Sequence, residues 1–175
     1  MANTMIDEKT KIGKDVIESL TLAMYDDPKF IYREYIQNSA DQIDIAYEKG
    51  LIKSKDECRI EIKIDKTERR ITILDDGTGV SSEKVLEVLK NIAQGIKDRT
   101  KHKGFRGIGR LGGLAYCDKL IFETSYFGES TKSILTWNAR ELKQLINDRT
   151  KKEDASTVID SITSLQTQNE TPERK

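Results

Sequence analysis

The sequence REYIQNSADQID, residues 33–44, holds three polar side chains that an α-helix would bring to one face. Glu34, Asn38 and Asp41 are spaced i, i+4 and i+7, which places them within about 60° of one another around a helix axis. A trio of this kind taken alone is more typical of a solvated helix face. Solvated carboxylates, however, commonly have a lysine or arginine three or four residues away, and neither Glu34 nor Asp41 has one. The segment therefore favours a site for a cationic or metal-bearing ligand.

The same segment predicts a helix that packs on a core, because an apolar stripe runs beside the polar trio. The stripe consists of Tyr32, Ile36, Ala40, Ile43 and Tyr47. Asp27-Pro28 predicts the start of this helix, and Gly50 predicts its end after about Lys49. Elsewhere the patterns predict helices at 14–26, from Ser81 and near 139–149, and strands near 58–65, 70–74, 118–126, 132–138 and 156–163. Hairpin strands beside separate helices indicate an α+β layer.

A second polar segment, Leu74-Asp75-Asp76-Gly77-Thr78-Gly79, follows the second predicted strand. Asp-Gly after a strand usually marks a hairpin turn. The functional interpretation is the alternative. Glycines let a ligand approach the backbone, and a carboxylate at a strand end accepts a hydrogen bond.

A third segment, Gly104-Phe105-Arg106-Gly107-Ile108-Gly109, is rich in glycine and precedes an apolar stretch. Glycines before a helix expose backbone N–H groups and the positive end of the helix dipole to a phosphate. A flexible loop is the alternative. The overlapping residues 107–112 fit the dinucleotide fingerprint G-x-G-x-x-G, but no buried strand precedes them, so a dinucleotide site of that kind is excluded. Residues 104–109 have the glycine spacing of a P-loop, but Arg110-Leu111 stands where Lys and Ser/Thr are required.

In order and spacing, the three segments resemble the GHKL superfamily of ATPases, which includes gyrase B, the 90-kDa heat-shock chaperones, histidine kinases and MutL. The box E-x-x-x-N-x-x-D is matched by Glu34, Asn38 and Asp41, the box D-x-G-x-G by Asp75, Gly77 and Gly79, and the box G-x-x-G-x-G by Gly104, Gly107 and Gly109. Residues 33–41 look most like the heat-shock chaperone branch, and residues 92–97 are similar to the start of its lid. The resemblance spans about residues 14–165.

The resemblance implies an α+β two-layer sandwich of the Bergerat type. In this fold, helices cover one face of a mixed, mostly antiparallel sheet, and Mg-ATP binds between the layers. We expect residues 1–165 to form this ATP-binding domain, and residues 166–175 to be a disordered tail or a linker to an absent downstream domain.

The resemblance to the GHKL superfamily also implies roles for single residues. Asn38 would supply an oxygen to Mg²⁺, Asp75 would accept the adenine amino hydrogen, and Glu34 would orient or deprotonate the attacking water. Gly77 and Gly79 would leave room for the base and sugar. The remaining nucleotide-binding positions are Asp41, Ile92, Gly104, Phe105, Arg106, Gly107, Ile108 and Gly109, of which residues 104–109 would cradle the β- and γ-phosphates.

The function implied is a slow ATPase of the heat-shock-chaperone kind, which binds ATP and ADP and pairs as a nucleotide-dependent homodimer within a longer protein. Two alternatives stay open. One is a MutL- or MORC-like ATPase module that acts on DNA, and the other is a nucleotide-binding module without turnover, in which Glu34 is vestigial.

The amino-acid composition narrows the possible classes of function. The chain of 175 residues has 30 Lys+Arg and 30 Asp+Glu, and this zero balance disfavours a dedicated nucleic-acid binder without excluding a local basic patch. No apolar run approaches the ~18 residues of a membrane span, and the N-terminus lacks the apolar core of a secretion signal. We therefore expect a cytoplasmic protein that does not bind membranes. With one histidine and two distant cysteines, zinc and Cys-His chemistry are disfavoured.

Overall fold

The computed structural model describes residues 11–21, 27–92 and 108–169, which contain four α-helices and five β-strands. In chain order the elements are α1 (Asp15–Thr21), α2 (Lys29–Glu48), β1 (Ile60–Asp65), β2 (Arg70–Asp75), β3 (Lys119–Ser125), β4 (Thr131–Asn138), α3 (Ala139–Asn147), α4 (Ala155–Ile162) and β5 (Thr163–Asn169). Short 3₁₀ helices span Lys55–Glu57 and Gly109–Ala115, and a π-helical turn spans Leu86–Lys90. No helix in these ranges is both long and apolar enough to cross a membrane.

Helix α2 begins and ends where local sequence signals predict. The Asp27 carboxylate accepts a hydrogen bond from the backbone N–H of Lys29 at 2.9 Å, as an N-cap does. At the other end Gly50 has a φ of +67°, and the N–H of Leu51 donates to the carbonyl of Ala46 at 2.9 Å. This pair of features is a Schellman motif, and it stops the helix after Lys49. Of the helix predicted at 14–26, α1 accounts for Asp15–Thr21, and residues 22–26 lie outside the described ranges.

The strands form two antiparallel sheets. Strands β1 and β2 pair in a hairpin with Ile60 opposite Asp75, and the second sheet has the order β3-β4-β5. The predicted α+β class is confirmed. The sequence predicts one mixed, mostly antiparallel sheet. Over the described residues, the strands instead form these two separate antiparallel sheets. The loop after β2 still reaches the end of β3, because the N–H of Val80 donates to Thr124 Oγ1 at 2.8 Å.

The core lies on one face of the three-stranded sheet. Alternate residues of β4 are buried, as expected for a strand covered on one side. Leu135 and Trp137 of β4 belong to one cluster with side chains from α1, α3, α4 and the 3₁₀ helix: Ile17, Leu142, Ile146, Val158, Ile162, Leu111 and Leu114. This packing holds the 3₁₀ helix Gly109–Ala115 against the sheet.

The strand predicted near 156–163 is wrong, because this segment forms helix α4. The Asp154 carboxylate caps the helix by accepting from the N–H of Ser156 at 2.9 Å, and Ala155, Val158 and Ile162 face the core at helical spacing. Strand β5 follows and pairs with β4. Residues 166–169 of the predicted tail are therefore in a strand, and residues 170–175 lie outside the described ranges.

Candidate functional site

A cleft of about 2950 Å³ is lined by residues of α2, β2, β3 and the 3₁₀ helix Gly109–Ala115. It is larger than the ~300–1,000 Å³ of a typical small-molecule site, so such a ligand would fill part of it. The predicted site residues among those that line it are Glu34, Asn38, Asp75, Gly77, Gly79, Ile108 and Gly109. Residues from all three sequence motifs thus line one cleft. Gly104, Phe105, Arg106 and Gly107 lie outside the described residues.

Asp75 stands at the end of β2, where two hydrogen bonds fix its carboxylate. The hydroxyl of Ser39 on α2 donates to Asp75 Oδ2 at 2.9 Å, and the backbone N–H of Gly77 donates to Asp75 Oδ1 at 3.0 Å. A carboxylate can accept about four hydrogen bonds, so both oxygens keep capacity for a ligand donor. The carboxylate is therefore oriented and still able to bind.

Glu34 and Asn38 lie one helical turn apart on α2 and are half-buried at the cleft. Within the part of the chain that the structure describes, neither side chain takes part in a hydrogen bond or ion pair. Both side chains therefore keep their capacity to hydrogen-bond water or a ligand.

Asp41, the third residue of the predicted polar trio, does not lie with the other two at the cleft. Asp41 Oδ1 accepts a hydrogen bond from Gln37 Nε2, one turn earlier on α2, at 2.9 Å. Asp41 does not line the cleft, and the same holds for Ile92, which packs against the hydrophobic core. The structure thus places Glu34 and Asn38, but neither Asp41 nor Ile92, at the candidate site.

The glycines of the second motif are required by packing of the protein on itself. A Cβ atom at Gly77 would lie 2.5 Å from the Cβ of Gln42 and 2.7 Å from Asp75 Oδ1. At Gly79, where φ is +68°, a Cβ would overlap the carbonyl oxygen of Ser125. The space that the sequence interpretation left for a base and sugar is therefore filled, at these two Cβ positions, by α2 and the end of β3.

The third motif leads into a 3₁₀ helix rather than an α-helix. Ile108 precedes it and Gly109 begins it. Tyr35 on α2 holds this segment, since its hydroxyl donates to the carbonyl of Arg110 at 2.9 Å. Burial lowers the pKa of the Arg110 guanidinium to about 10, so the side chain remains charged at neutral pH.

Sequence reasoning missed the residues that connect the motifs. Ser39 bonds Asp75, and Gln42 Oε1 accepts from the Thr78 hydroxyl at 2.6 Å. A local signal existed for both, because Ser39 and Gln42 lie beside the polar trio on α2 and Thr78 lies inside Asp-Gly-Thr-Gly. No local signal pairs Tyr35 with Arg110.

Comparison with known proteins gives a family match over residues 30–171, to the model described as histidine kinase-, DNA gyrase B-, and HSP90-like ATPase. The match includes every candidate residue of the cleft. Among curated proteins the chain is similar to the chaperone protein HtpG of Clostridium perfringens, with 32% identity over 131 residues, 66% of this chain and 21% of the relative. It is also similar to HtpG of Wigglesworthia glossinidia brevipalpis, with 28% identity over 83% of this chain and 26% of the relative. HtpG of Escherichia coli gives 27% identity over the same shares.

The chain therefore spans between about a fifth and a quarter of the length of these relatives.

Gly79→Ala should destabilise the protein by about 3 kcal/mol or more, because the methyl group meets the Ser125 carbonyl and the backbone is left-handed. Gly50→Ala is the matched control, with φ +67° and nothing within 4 Å of the added carbon. It should cost only about 1–2 kcal/mol. Urea denaturation measures both, and equal losses would contradict the packing of the loop on β3.

Proposed function

Because this chain belongs to the family of histidine kinase-, DNA gyrase B- and HSP90-like ATPases, we propose that its cleft binds ATP with Mg²⁺ and hydrolyses the nucleotide to ADP and phosphate. One observation carries the proposal. Glu34 and Asn38, which have no polar partner in the described part of the chain, line the same cleft as the fixed carboxylate of Asp75.

Asp75 is suited to recognise the adenine base. Its ionised carboxylate only accepts hydrogen bonds, and the exocyclic amino group of adenine donates them. The bonds from Ser39 and Gly77 hold both oxygens in place before a ligand arrives. This preorganisation supports selection of an amino-bearing base, because less side-chain freedom is lost on binding.

Asn38 is the residue that would hold Mg²⁺. Among the described residues there is no cluster of three or more His, Cys, Asp or Glu side chains that could cage a metal ion. Magnesium does not need such a cluster, since it usually keeps several waters and takes one or two protein oxygens together with substrate phosphates. Bound there, the ion would neutralise phosphate charge. The amide oxygen of Asn38 is a hard ligand and lines the cleft.

Glu34 is placed to act on the attacking water. It lies one turn before Asn38 on α2, and no cation in the described part of the chain pairs with its carboxylate. A carboxylate without such a partner can accept a proton or hydrogen bond from water. In phosphoryl transfer the protein mainly positions groups and stabilises charge, so Glu34 contributes to turnover rather than affinity.

The phosphates would lie at the start of the 3₁₀ helix Gly109–Ala115. Ile108 and Gly109 line the cleft there, and backbone N–H groups at the start of a helical segment have no partner within it. Gly104, Phe105, Arg106 and Gly107 would complete this cradle.

The wider proposal is a slow, chaperone-like nucleotide switch in which two copies pair when ATP is bound. The similarity to the chaperone protein HtpG of three bacteria supports the chaperone part of this proposal.

Asp75→Asn should weaken ATP binding about 30–150-fold, or about 2–3 kcal/mol, because the amide loses the charge and can present a donor to the adenine amino group. Calorimetric titration measures the affinity, with circular dichroism as the test of folding. Asp76→Asn is the control, since Asp76 is exposed and bonds the N–H of Arg59. Wild-type affinity in a folded Asp75→Asn protein would exclude the adenine assignment.

Asn38→Ala should weaken binding of Mg-ATP by about tenfold or more, and binding of ATP in EDTA much less, because the lost oxygen belongs to the metal shell. The measurement is the ratio of the two affinities in wild type and variant. Equal losses with and without magnesium would show that Asn38 is not a metal ligand.

Glu34→Gln should lower the rate of ATP hydrolysis by on the order of 100-fold and leave ATP affinity unchanged or slightly improved. Phosphate release from the full-length protein measures turnover. Glu48→Gln, at an exposed position on the same helix, should match wild type. If Glu34→Gln hydrolyses ATP at the wild-type rate, Glu34 is not the base.

A further inference from the structure

We propose that Tyr35 and Arg110 are positioning residues for ATP turnover, because together they fix the 3₁₀ helix Gly109–Ala115 relative to Glu34 on α2. This inference rests on the proposed function, since it assigns the segment at Gly109 to the phosphates. It concerns residues outside the three sequence motifs.

The Tyr35 hydroxyl joins α2 to the 3₁₀ helix at two points. It donates to the carbonyl of Arg110 at 2.9 Å and accepts from the backbone N–H of Gly113 at 3.2 Å. These two bonds use the hydroxyl both as donor and as acceptor. Because Tyr35 follows Glu34 directly in α2, the proposed catalytic carboxylate and the proposed phosphate-binding segment share one anchor.

The Arg110 side chain ties the same segment to a third element. Its Nε donates to the carbonyl of Leu89 at 3.3 Å, and its Nη2 donates to the carbonyl of Asn91. These carbonyls lie at the end of the π-helical turn Leu86–Lys90, where backbone acceptors lack helical partners and a cation is favourable. A buried charge must be hydrogen-bonded, so the guanidinium holds the turn and the 3₁₀ helix together.

The consequence falls on Gly109, which immediately precedes Arg110. The carbonyl of Arg110 is held by the Tyr35 hydroxyl, and its guanidinium is held by the carbonyls of Leu89 and Asn91. We therefore expect Tyr35 and Arg110 to influence turnover through the position of Gly109. Small displacements of groups that contact a reacting phosphate lower the rate of the reaction strongly. Binding of the base at Asp75 does not involve these groups and should be unaffected.

Gly113 supplies an internal test of this arrangement. A Cβ atom there would overlap the Tyr35 hydroxyl, whereas its next neighbours, Leu120 Cδ1 at 3.4 Å and Tyr35 Cζ at 3.5 Å, are at ordinary contact distances. Gly113→Ala should therefore destabilise the wild-type protein. Tyr35→Phe removes the hydroxyl and should relieve the overlap.

The experiment compares wild type, Tyr35→Phe, Gly113→Ala and the double variant in the full-length protein. We expect Tyr35→Phe to lower the rate of ATP turnover by about tenfold. The affinity for a non-hydrolysable ATP analogue, divided by the affinity for adenosine, should fall by about the same factor. The affinity for adenosine itself should stay within twofold of wild type. The double variant should melt at a higher temperature than Gly113→Ala, yet its turnover and affinity ratio should stay as low as in Tyr35→Phe. Tyr47→Phe, an exposed tyrosine on the same helix, is the control and should match wild type.

Two results would overturn the inference. The first is a Tyr35→Phe protein whose turnover and affinity ratio both lie within twofold of wild type. The second is a turnover that simply follows the melting temperature across the four proteins, as a purely structural role requires. If Tyr35→Phe does not fold, Arg110→Lys gives the second test, because lysine keeps the charge but lacks the planar fork of donors. It should show the same tenfold losses, and wild-type values would reject the inference. A wild-type protein that binds neither adenosine nor ATP would instead reject the proposed function.

Discussion

The candidate site depends on the Asp75 carboxylate, which joins the end of β2 to the middle of α2. The bond from the Ser39 hydroxyl sets how close the helix comes to the strand, and the bond from the Gly77 N–H sets how the chain turns away from it. Because the helix approaches so closely, a Cβ at Gly77 would overlap Gln42. One carboxylate therefore accounts for the identity of the neighbouring serine and glycine, and it remains able to accept a ligand donor.

This packing gives a different reason for the glycines of the Asp-Gly-Thr-Gly segment. Glycines in a binding motif are readily taken as space for the ligand, but here α2 and the end of β3 occupy the space that side chains would fill. The two glycines allow the loop after Asp75 to pack against Gln42 of α2 and Ser125 of β3. The tie from Tyr35 to the 3₁₀ helix plays a similar part on the other side of the cleft.

Features encoded by adjacent residues could be predicted from the sequence. The ends of α2 follow from Asp27-Pro28 and Gly50, and the shared face of Glu34 and Asn38 follows from helical spacing. The segment 155–162 could not be assigned in this way, because its Ser, Thr, Val and Ile residues also suit a strand, and the Asp154 cap and core burial decide for a helix. The bonds from Ser39 to Asp75 and from Tyr35 to Arg110 join residues 36 and 75 positions apart, which no local pattern specifies.

The proposed function requires one nucleotide to occupy the cleft that Glu34, Asn38 and Asp75 line. The most direct measurement is a titration of the isotope-labelled protein with a non-hydrolysable ATP analogue and Mg²⁺, followed by NMR. The account predicts that the largest shift changes fall on the backbone amides of Ser39, Gly77 and Gly109 and on the side-chain amide of Asn38, whose change requires Mg²⁺. Saturating analogue that leaves these four signals in place, or shifts only signals from β5 and α4, would contradict it.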